Sequence, residues 1–468
     1  MRGIDEVREM LIRGEKSVET FIGEVLERIE QNRDYNAYIT INTEGALERA
    51  RQLDQKLSRG EELGSLFGVP ISFKDNIMTE GIRTTCASKM LEHFVPPFQA
   101  TVVERALAED AVLIGKTNMD EFAMGGSSET SYFGPSKNPL DPTLVPGGSS
   151  SGAAVSLKLG ESVVSIGSDT GGSVRQPASY CSLLGFLPSY GMISRHGVAS
   201  MSNTLDQVGI LANSVVDITK VFQIIGGNDP KDATSVPINQ LTFNLGELDP
   251  SKIKVGILKD LSGYHCDPVV VKDYERAIER LRELGVQLIE VEMDLYRYLS
   301  PTYSVVCTAE VGSNMSKYDG LRYGYQCEDY EGLDELYEKT RAEGFREETQ
   351  RRIAVGMFYL GSEYEVELYR KALKVREKIR RWVQQLFTEL DFLMTPSAVR
   401  LPYPLGLDAD TLSTLSSGDF HVLANLTGRC AISVPMNEGI GGSVQIMADR
   451  MDDGRLLSFA DAFYRGIK

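Results

Sequence analysis

The chain has 468 residues, 42% of them hydrophobic, and a formal net charge of −17 at pH 7. This length allows a large buried core, and no apolar run in the sequence is long enough to span a bilayer. The acidic balance argues against strong binding of nucleic acid by the chain's own surface, because nucleic-acid-binding proteins carry a basic patch. The charged N-terminal segment lacks the apolar region of a signal peptide, so a cytoplasmic location is expected.

Cysteine and histidine usage limits the chemistry further. The six cysteines are scattered without a CxxC pair and are expected to be reduced thiols. The four histidines show no metal-ligand spacing, so we expect no metal site. The densest basic run, Lys371 to Arg381, has the spacing of a solvated helix face and does not by itself indicate an RNA-binding surface.

Helical and strand-like patterns alternate along the chain. In the first half we expect helices at 17–30, 44–57, 101–110 and 153–159, and strands at 67–73, 111–114 and 162–166. A turn-rich break at 226–232 precedes a second half with a helix at 270–284, helical patterns over 303–386, and strands at 254–258, 286–291, 392–396, 430–435 and 443–447. This alternation predicts an α/β protein with a mixed central sheet covered by helices on both faces.

Two glycine- and serine-rich clusters lie within residues 145–177, one at 147–152 and the other at 170–173. Glycine lets backbone N–H groups approach a ligand closely, and serine hydroxyls supply nucleophiles and proton carriers. Lys74 follows the predicted strand 67–73, and a lysine whose surroundings lower its pKa is a competent base. One cluster alone would indicate only a turn, but two clusters and the lysine favour a Ser/Ser/Lys catalytic site.

The motif, its spacing and its order resemble those of the amidase signature family. Lys74 lies 75 residues before Ser149, and Ser173 follows Ser149 by 24 residues. The resemblance covers about residues 17–435. It implies the amidase-signature fold as a single domain over 1–468, with a catalytic core at about 60–230 and a helical insertion at about 300–390.

The family resemblance also implies a role for each motif residue. Ser173 is the expected nucleophile, Ser149 the bridging proton shuttle and Lys74 the base. Asp169 and Arg175 are interpreted first as structural residues that hold the loop. The oxyanion hole is expected to be formed by the backbone N–H groups of Thr170, Gly171, Gly172 and Ser173.

Stretches outside the catalytic loops resemble the glutamine-hydrolysing A subunit of glutamyl-tRNA(Gln)/aspartyl-tRNA(Asn) amidotransferases. They are residues 119–125, 229–232, 318–325 and 343–353. This resemblance implies that glutamine is hydrolysed and that ammonia passes to a tRNA-binding B subunit, with a small C subunit as a third partner. No cofactor is expected in this chain, since ATP and Mg²⁺ are expected at the tRNA-binding partner.

The same resemblance suggests how glutamine is recognised. A bidentate arginine suits a carboxylate, so Arg352 is the expected partner of the substrate carboxylate, with Tyr303 nearby. Asp419 is the expected partner of the substrate ammonium, although it sits one position from its usual place. Ser127 is the expected substrate contact in the long polar loop 117–139. Three positions depart from the pattern usual for such glutamine-hydrolysing proteins and are compatible with a divergent paralogue: Gly126, Gln326 and Gly361.

Three alternative functions fit parts of the same pattern. A stand-alone amidase with the same triad would act on another carboxamide and form no complex with a tRNA-binding partner. Residues 148–152 also match GxSxG, the α/β-hydrolase elbow, with His421 as the late histidine, although no convincing strand precedes the motif. A protein without enzymatic activity could use the two loops only to bind an anion or a partner.

Overall fold

An eleven-stranded mixed sheet forms the centre of the computed structural model, which describes residues 3–467 except 244, 247, 362 and 408–418. The side chain of residue 419 also lies outside the described part. The strands are β1 (Tyr38–Ile41), β2 (Pro70–Lys74), β3 (Val112–Thr117), β4 (Val164–Asp169), β5 (Leu184–Leu187), β6 (Gln207–Ala212), β7 (Lys254–Leu258), β8 (Gln287–Val291), β9 (Phe392–Pro396), β10 (Ala431–Pro435) and β11 (Ser443–Ala448).

The order across the sheet is β1-β3-β2-β4-β6-β5-β10-β11-β9-β7-β8. Strand β2 runs parallel to both β3 and β4, and β7 runs parallel to both β8 and β9. The strands from β4 through β6, β5, β10 and β11 to β9 pair antiparallel. Every residue of the inner strands β2 to β6 and β9 to β11 is buried, as expected for a sheet covered on both faces.

The described residues form fourteen α-helices that surround this sheet. Their apolar faces pack on the core, which confirms the predicted α/β class and mixed central sheet. The helices are α1 (Ile4–Ile12), α2 (Val18–Gln31), α3 (Thr43–Ser58), α4 (Thr101–Ala108), α5 (Ser151–Leu159), α6 (Arg175–Tyr180), α7 (Val215–Ile225), α8 (Pro268–Leu284), α9 (Leu299–Met315), α10 (Leu333–Gly344), α11 (Glu347–Leu360), α12 (Arg370–Leu386), α13 (Asp419–Thr427) and α14 (Asp453–Tyr464). None of these helices is long and apolar enough to cross a lipid bilayer.

Helix α2 illustrates why its sequence folds as it does. The Ser17 side chain accepts a hydrogen bond from the Thr20 N–H and caps the helix, as the sequence predicts. Its buried face is Val18, Ile22, Val25 and Ile29, a spacing of three and four residues. The predicted strand 67–73 begins later than expected, at Pro70, and continues through Lys74. The division into a catalytic core and a helical insertion stays a prediction, although α9 to α12 do lie between β8 and β9 in the chain.

The sheet places the glycine- and serine-rich loops at one edge of neighbouring strands. Strands β2 and β4 are parallel, with Phe73 opposite Ile166, so their carboxyl ends lie side by side. Lys74 ends β2 and Asp169 ends β4. The first cluster leads into α5 and the second leads into α6, so both loops lie where the two strands end.

Candidate active site

Lys74 is completely buried at the end of β2. Its Nζ lies 2.7 Å from Ser149 Oγ, 2.9 Å from Ser168 Oγ and 3.1 Å from the Ser168 carbonyl oxygen. Burial lowers the pKa of Lys74 to about 7, although three carboxylates raise it, those of Asp120, Asp169 and Asp206. The amine therefore changes its protonation state near neutral pH.

The surroundings of Lys74 accommodate both of its protonation states. The ammonium form has three hydrogens for its three oxygen neighbours. The neutral amine keeps two hydrogens and gains a lone pair, which can accept the hydroxyl hydrogen of Ser149. Asn76 Nδ2 donates to Ser168 Oγ at 3.0 Å and holds that hydroxyl beside the amine. The Lys74–Ser149 pair can therefore take up and return a proton.

Two hydrogen bonds to other segments hold the Ser149 loop in place. The Gly148–Ser149 peptide bond is cis, and the Gly148 N–H donates to Gln176 Oε1 at 3.0 Å. The Ser149 carbonyl accepts a hydrogen bond from the Asp120 N–H at 3.3 Å. A Cβ atom at position 148 would overlap Asp120 Oδ2, so glycine is required there. Asp120 Oδ2 itself is buried without a hydrogen-bond partner within the described structure.

Ser173 lies in the second loop and is 8% exposed, whereas Lys74 and Ser149 are fully buried. The Ser150 N–H donates to the Ser173 carbonyl at 3.0 Å and joins the two loops. The Ser173 hydroxyl makes no hydrogen bond to any of the described residues. Of the three predicted triad residues, Ser173 is therefore the one that a substrate can reach.

Backbone N–H groups surround Ser173, as expected for an anion-stabilising loop. The Gly172 N–H donates to Asp169 Oδ1 at 2.7 Å and is committed to that carboxylate. Position 172 has a φ of +116°, which favours glycine, and a Cβ there would lie 2.7 Å from His421 Cβ. Three of the four predicted oxyanion donors have no acceptor among the described residues: the N–H groups of Thr170, Gly171 and Ser173.

A buried ion pair holds this loop. Arg175 Nε donates to Asp169 Oδ2 at 3.0 Å and Nη2 donates to Asp169 Oδ1 at 2.9 Å, a bidentate geometry. Burial raises the pKa of Asp169, but the Arg175 guanidinium more than offsets this and holds it well below its usual range. Arg175 also donates to three groups from the last third of the chain, the His421 carbonyl, Asn425 Oδ1 and Gln445 Oε1. These contacts agree with the structural roles expected for both residues.

Two of the predicted recognition residues lie together beside the loop. Tyr303 of α9 packs against Gly171, where an added Cβ would lie 2.6 Å from Tyr303 Cζ. Burial raises the pKa of Tyr303 well above its usual value, and the nearby charge of Arg352 acts in the opposite direction. Arg352 of α11 donates through Nε to Glu348 Oε1 at 2.6 Å. The structure therefore brings Tyr303 to the 170–173 loop, with Arg352 near Tyr303.

The other two predicted substrate contacts have different outcomes. Ser127 is buried next to the first loop, since its backbone nitrogen lies 3.0 Å from the position of a Cβ on Gly148. Asp419 is the first residue of α13, and its side chain lies outside the described part of the structure. The substrate-binding roles of all four residues stay predictions.

Several site residues were not foreseen from the sequence. Ser168 contacts Lys74 directly, and Asp206 Oδ1 accepts a hydrogen bond from Thr170 Oγ1 at 2.7 Å. Glu121 is buried and accepts hydrogen bonds from Ser88 Oγ and from the first turn of α11. A sequence signal existed for Ser168 alone, because polar residues that end neighbouring parallel strands tend to meet.

The geometry does not support the α/β-hydrolase alternative. The central serine of the GxSxG match, Ser150, donates to the Ser168 carbonyl at 3.1 Å. His421 Nε2 is instead 2.9 Å from Ser397 Oγ. Burial and the charge of Arg175 lower the pKa of His421 to about 3, so it is a weak base. No His/Cys/Asp/Glu group able to hold a metal ion occurs among the described residues.

Comparisons with known proteins identify the family of the chain. The Amidase family model matches residues 20–457. The chain is 40% identical to the A subunit of glutamyl-tRNA(Gln) amidotransferase from Caldanaerobacter subterraneus subsp. tengcongensis, over 99% of this chain and 96% of that protein. It is 43% identical to the protein of the same name from Carboxydothermus hydrogenoformans, over 91% and 89% of the two chains.

A solved structure shows the same fold over nearly the whole chain. The crystal structure of the glutamyl-tRNA(Gln) amidotransferase A subunit from Thermotoga maritima superposes with a TM-score of 0.80 at 32% identity. The match covers 98% of this chain and 94% of that one. The resemblance predicted from the two glycine- and serine-rich clusters is confirmed: the chain belongs to the amidase family of enzymes.

Proposed function

We propose that this chain is the glutamine-hydrolysing component of a tRNA-dependent amidotransferase. The observation that carries the chemistry is the buried contact of 2.7 Å between Lys74 Nζ and Ser149 Oγ, in a loop that is hydrogen-bonded to the Ser173 carbonyl. The choice of glutamine rests on the similarity, over 99% of the chain, to a protein named as the A subunit of glutamyl-tRNA(Gln) amidotransferase.

Ser173 acts as the nucleophile in the proposed reaction. Its Oγ forms a bond to the carboxamide carbon of glutamine while its proton passes to Ser149 Oγ. Ser149 passes its own proton to neutral Lys74, so the lysine becomes an ammonium. The negative charge that develops on the substrate oxygen is stabilised by the free N–H groups of Thr170, Gly171 and Ser173.

The same relay then runs in reverse. The carbon–nitrogen bond breaks, and the leaving nitrogen receives a proton from Ser149, which is replenished from Lys74. Ammonia departs and leaves an acyl-enzyme on Ser173 Oγ. Water, deprotonated through the same relay, attacks this ester, and glutamate is released as Ser173 regains its proton.

Substrate recognition is assigned to the residues around Gly171. Arg352 binds the glutamine carboxylate and Tyr303 lines the same wall. Ser127 contacts the substrate from the polar loop 117–139, and Asp419 binds the ammonium group. This arrangement would orient the carboxamide toward Ser173, since the α-carbon groups are held at the opposite end of the ligand.

The ammonia is passed to a partner that amidates misacylated tRNA. We assign that step to a tRNA-binding B subunit, accompanied by a small C subunit, with ATP and Mg²⁺ bound at the partner and no cofactor in this chain. The substrate is Glu-tRNA(Gln) or Asp-tRNA(Asn), and the complex works in the cytoplasm. The net charge of −17 fits a division of labour in which the partner holds the tRNA.

The test is ammonia release from glutamine by the complex purified with its co-expressed partners, for wild type and Ser173→Ala. Loss of the nucleophile is expected to lower kcat by about 10⁴-fold or more, while tRNA amidation driven by free ammonium survives. Ser156→Ala is the matched control. This buried α5 serine donates a hydrogen bond to the Ala153 carbonyl and is not a partner of Lys74. A wild type that ignores glutamine but cleaves simple amides would make the chain a stand-alone amidase.

A further inference from the structure

We propose that Glu348 is a positioning residue that orients the Arg352 guanidinium so that its two terminal nitrogens face the substrate carboxylate. The inference rests on the proposed function, because it presumes that Arg352 binds the carboxylate of glutamine. Glu348 itself touches no reacting atom. Its effect passes entirely through Arg352.

The contact uses one edge of the guanidinium and leaves another free. Glu348 and Arg352 lie one turn apart on α11, and Glu348 Oε1 accepts a hydrogen bond from Arg352 Nε at 2.6 Å. The Nη1 and Nη2 atoms of Arg352 make no hydrogen bond to the described residues. A carboxylate can therefore take both terminal nitrogens in the fork geometry that arginine favours, without displacing Glu348.

Arg352 lies near the α9 residues that border the 170–173 loop. Arg352 is 21% exposed and sits close enough to Tyr303 and Cys307 of α9 to interact electrostatically with both. Tyr303 in turn packs on Gly171. Tyr303 therefore lies between the 170–173 loop and Arg352, which places the guanidinium on the same side of the site as the expected oxyanion donors.

A neighbouring arginine keeps Glu348 ionised. Arg351 is 60% exposed and donates to both oxygens of Glu348, through Nε at 2.7 Å and Nη2 at 2.8 Å. Burial raises the pKa of Glu348, but its bonds from Arg351 and Arg352 hold it below the usual value. Two guanidinium groups share one carboxylate, so the cluster retains a net positive charge for the substrate.

The helix that carries this cluster is anchored to the pocket loop. Glu121 Oε2 accepts hydrogen bonds from the Arg346 N–H at 2.9 Å and from Thr349 Oγ1 at 2.5 Å, both at the start of α11. Its Oε1 accepts one from Ser88 Oγ at 2.5 Å. Glu348 therefore holds Arg352 from a backbone that is itself fixed relative to the catalytic loops.

The experiment measures kcat and KM of the complex, purified with its partners, on glutamine and on propionamide, which has no carboxylate. Glu348→Gln is expected to raise KM for glutamine by about tenfold with kcat within about twofold, because binding of the carboxylate weakens equally in the ground state and the transition state. Propionamide turnover stays unchanged. Glu347→Gln, the same change at the neighbouring exposed carboxylate of α11, is the matched control and leaves both substrates unaffected.

A double-mutant cycle separates positioning from folding. Arg352→Lys keeps the charge but loses the fork, and adding Glu348→Gln to it is expected to cause no further loss for glutamine. Equal losses on glutamine and propionamide, or a loss in kcat alone, would assign Glu348 a structural role and overturn the inference. So would an unchanged KM in Glu348→Gln. A wild-type complex without glutaminase activity would instead overturn the proposed function first, and the inference with it.

Discussion

The two sides of the candidate site are built differently. On the sheet side, Lys74 and Ser149 are fully buried at the carboxyl ends of β2 and β4, and the Lys74 amine has three oxygen partners. On the helical side, Arg352 is partly exposed and is held by one carboxylate of its own helix. The two sides meet at the contact between Gly171 and Tyr303.

The proposed chemistry and the proposed substrate recognition therefore lie on different sides of the site. A buried lysine costs folding free energy, so the surrounding sheet must fix it tightly enough to compensate. Arg352 is partly exposed and has the carboxylate of Glu348 on its own helix as a partner, so its charge costs less folding free energy. The same catalytic loops can therefore serve different amides when the helical side changes.

The contrast between the two sides would be wrong if the buried Asp169–Arg175 ion pair contributed little to stability. Arg175→Met leaves Asp169 as an unpaired buried carboxylate and is expected to lower the free energy of unfolding by about 3–5 kcal/mol. Arg352→Met, on the partly exposed side, is expected to cost about 1 kcal/mol. Urea unfolding at neutral pH measures both. Equal losses would show that the two sides are held with similar strength.

The pH dependence of activity tests the role of Lys74 on the sheet side of the site. Only the neutral amine can accept a proton, and its pKa is about 7, so kcat/KM is expected to fall about tenfold per pH unit below that value and to level off above it. Asp120→Asn removes the carboxylate that most raises this pKa, so the midpoint moves to lower pH. Initial rates between pH 5 and 9 check the shift, and Arg352→Lys, which lies on the other side, should leave the midpoint in place.

The smallest effect is expected at His421. His421→Gln keeps a hydrogen-bonding group toward Ser397 and removes no proton acceptor from the Lys74 relay, so kcat/KM should stay within about threefold of wild type. Ammonia release under saturating and limiting substrate measures it. A loss of about 10³-fold or more would return the α/β-hydrolase mechanism to consideration, since a triad histidine cannot be replaced by an amide.

The sequence was informative where local pattern and burial agree. Ser17 with the apolar spacing after it predicted α2, and the apolar run before Lys74 predicted β2. Helix α7 and strand β6 were not predicted. The α7 sequence is rich in Val and Ile and suits a strand by propensity, but its buried face and the Ser214 cap decide for a helix. Tertiary packing overrides propensity in such segments.

The candidate site was predictable only as far as its motif extends. Spacing and order singled out Lys74, Ser149 and Ser173, of which Lys74 ends β2 and Ser173 follows the end of β4, two strands that the sequence also predicts. Contacts such as Glu121 with the start of α11 join residues more than 200 positions apart, and no local pattern encodes them. The partners of Lys74 depend on strand register, which only the folded chain provides.

The hydrogen bonds from Arg175 to residues far along the chain have a consequence for when the protein can fold during its synthesis. Its side chain is bonded to groups in α13 and β11, about 250 to 270 residues farther along the chain, and β5 pairs with β10. A ribosome that has translated about the first half has therefore made all three triad residues without the groups that hold their loop. Fragments ending there are expected to be inactive, and a separately expressed C-terminal half is the natural candidate to complement them.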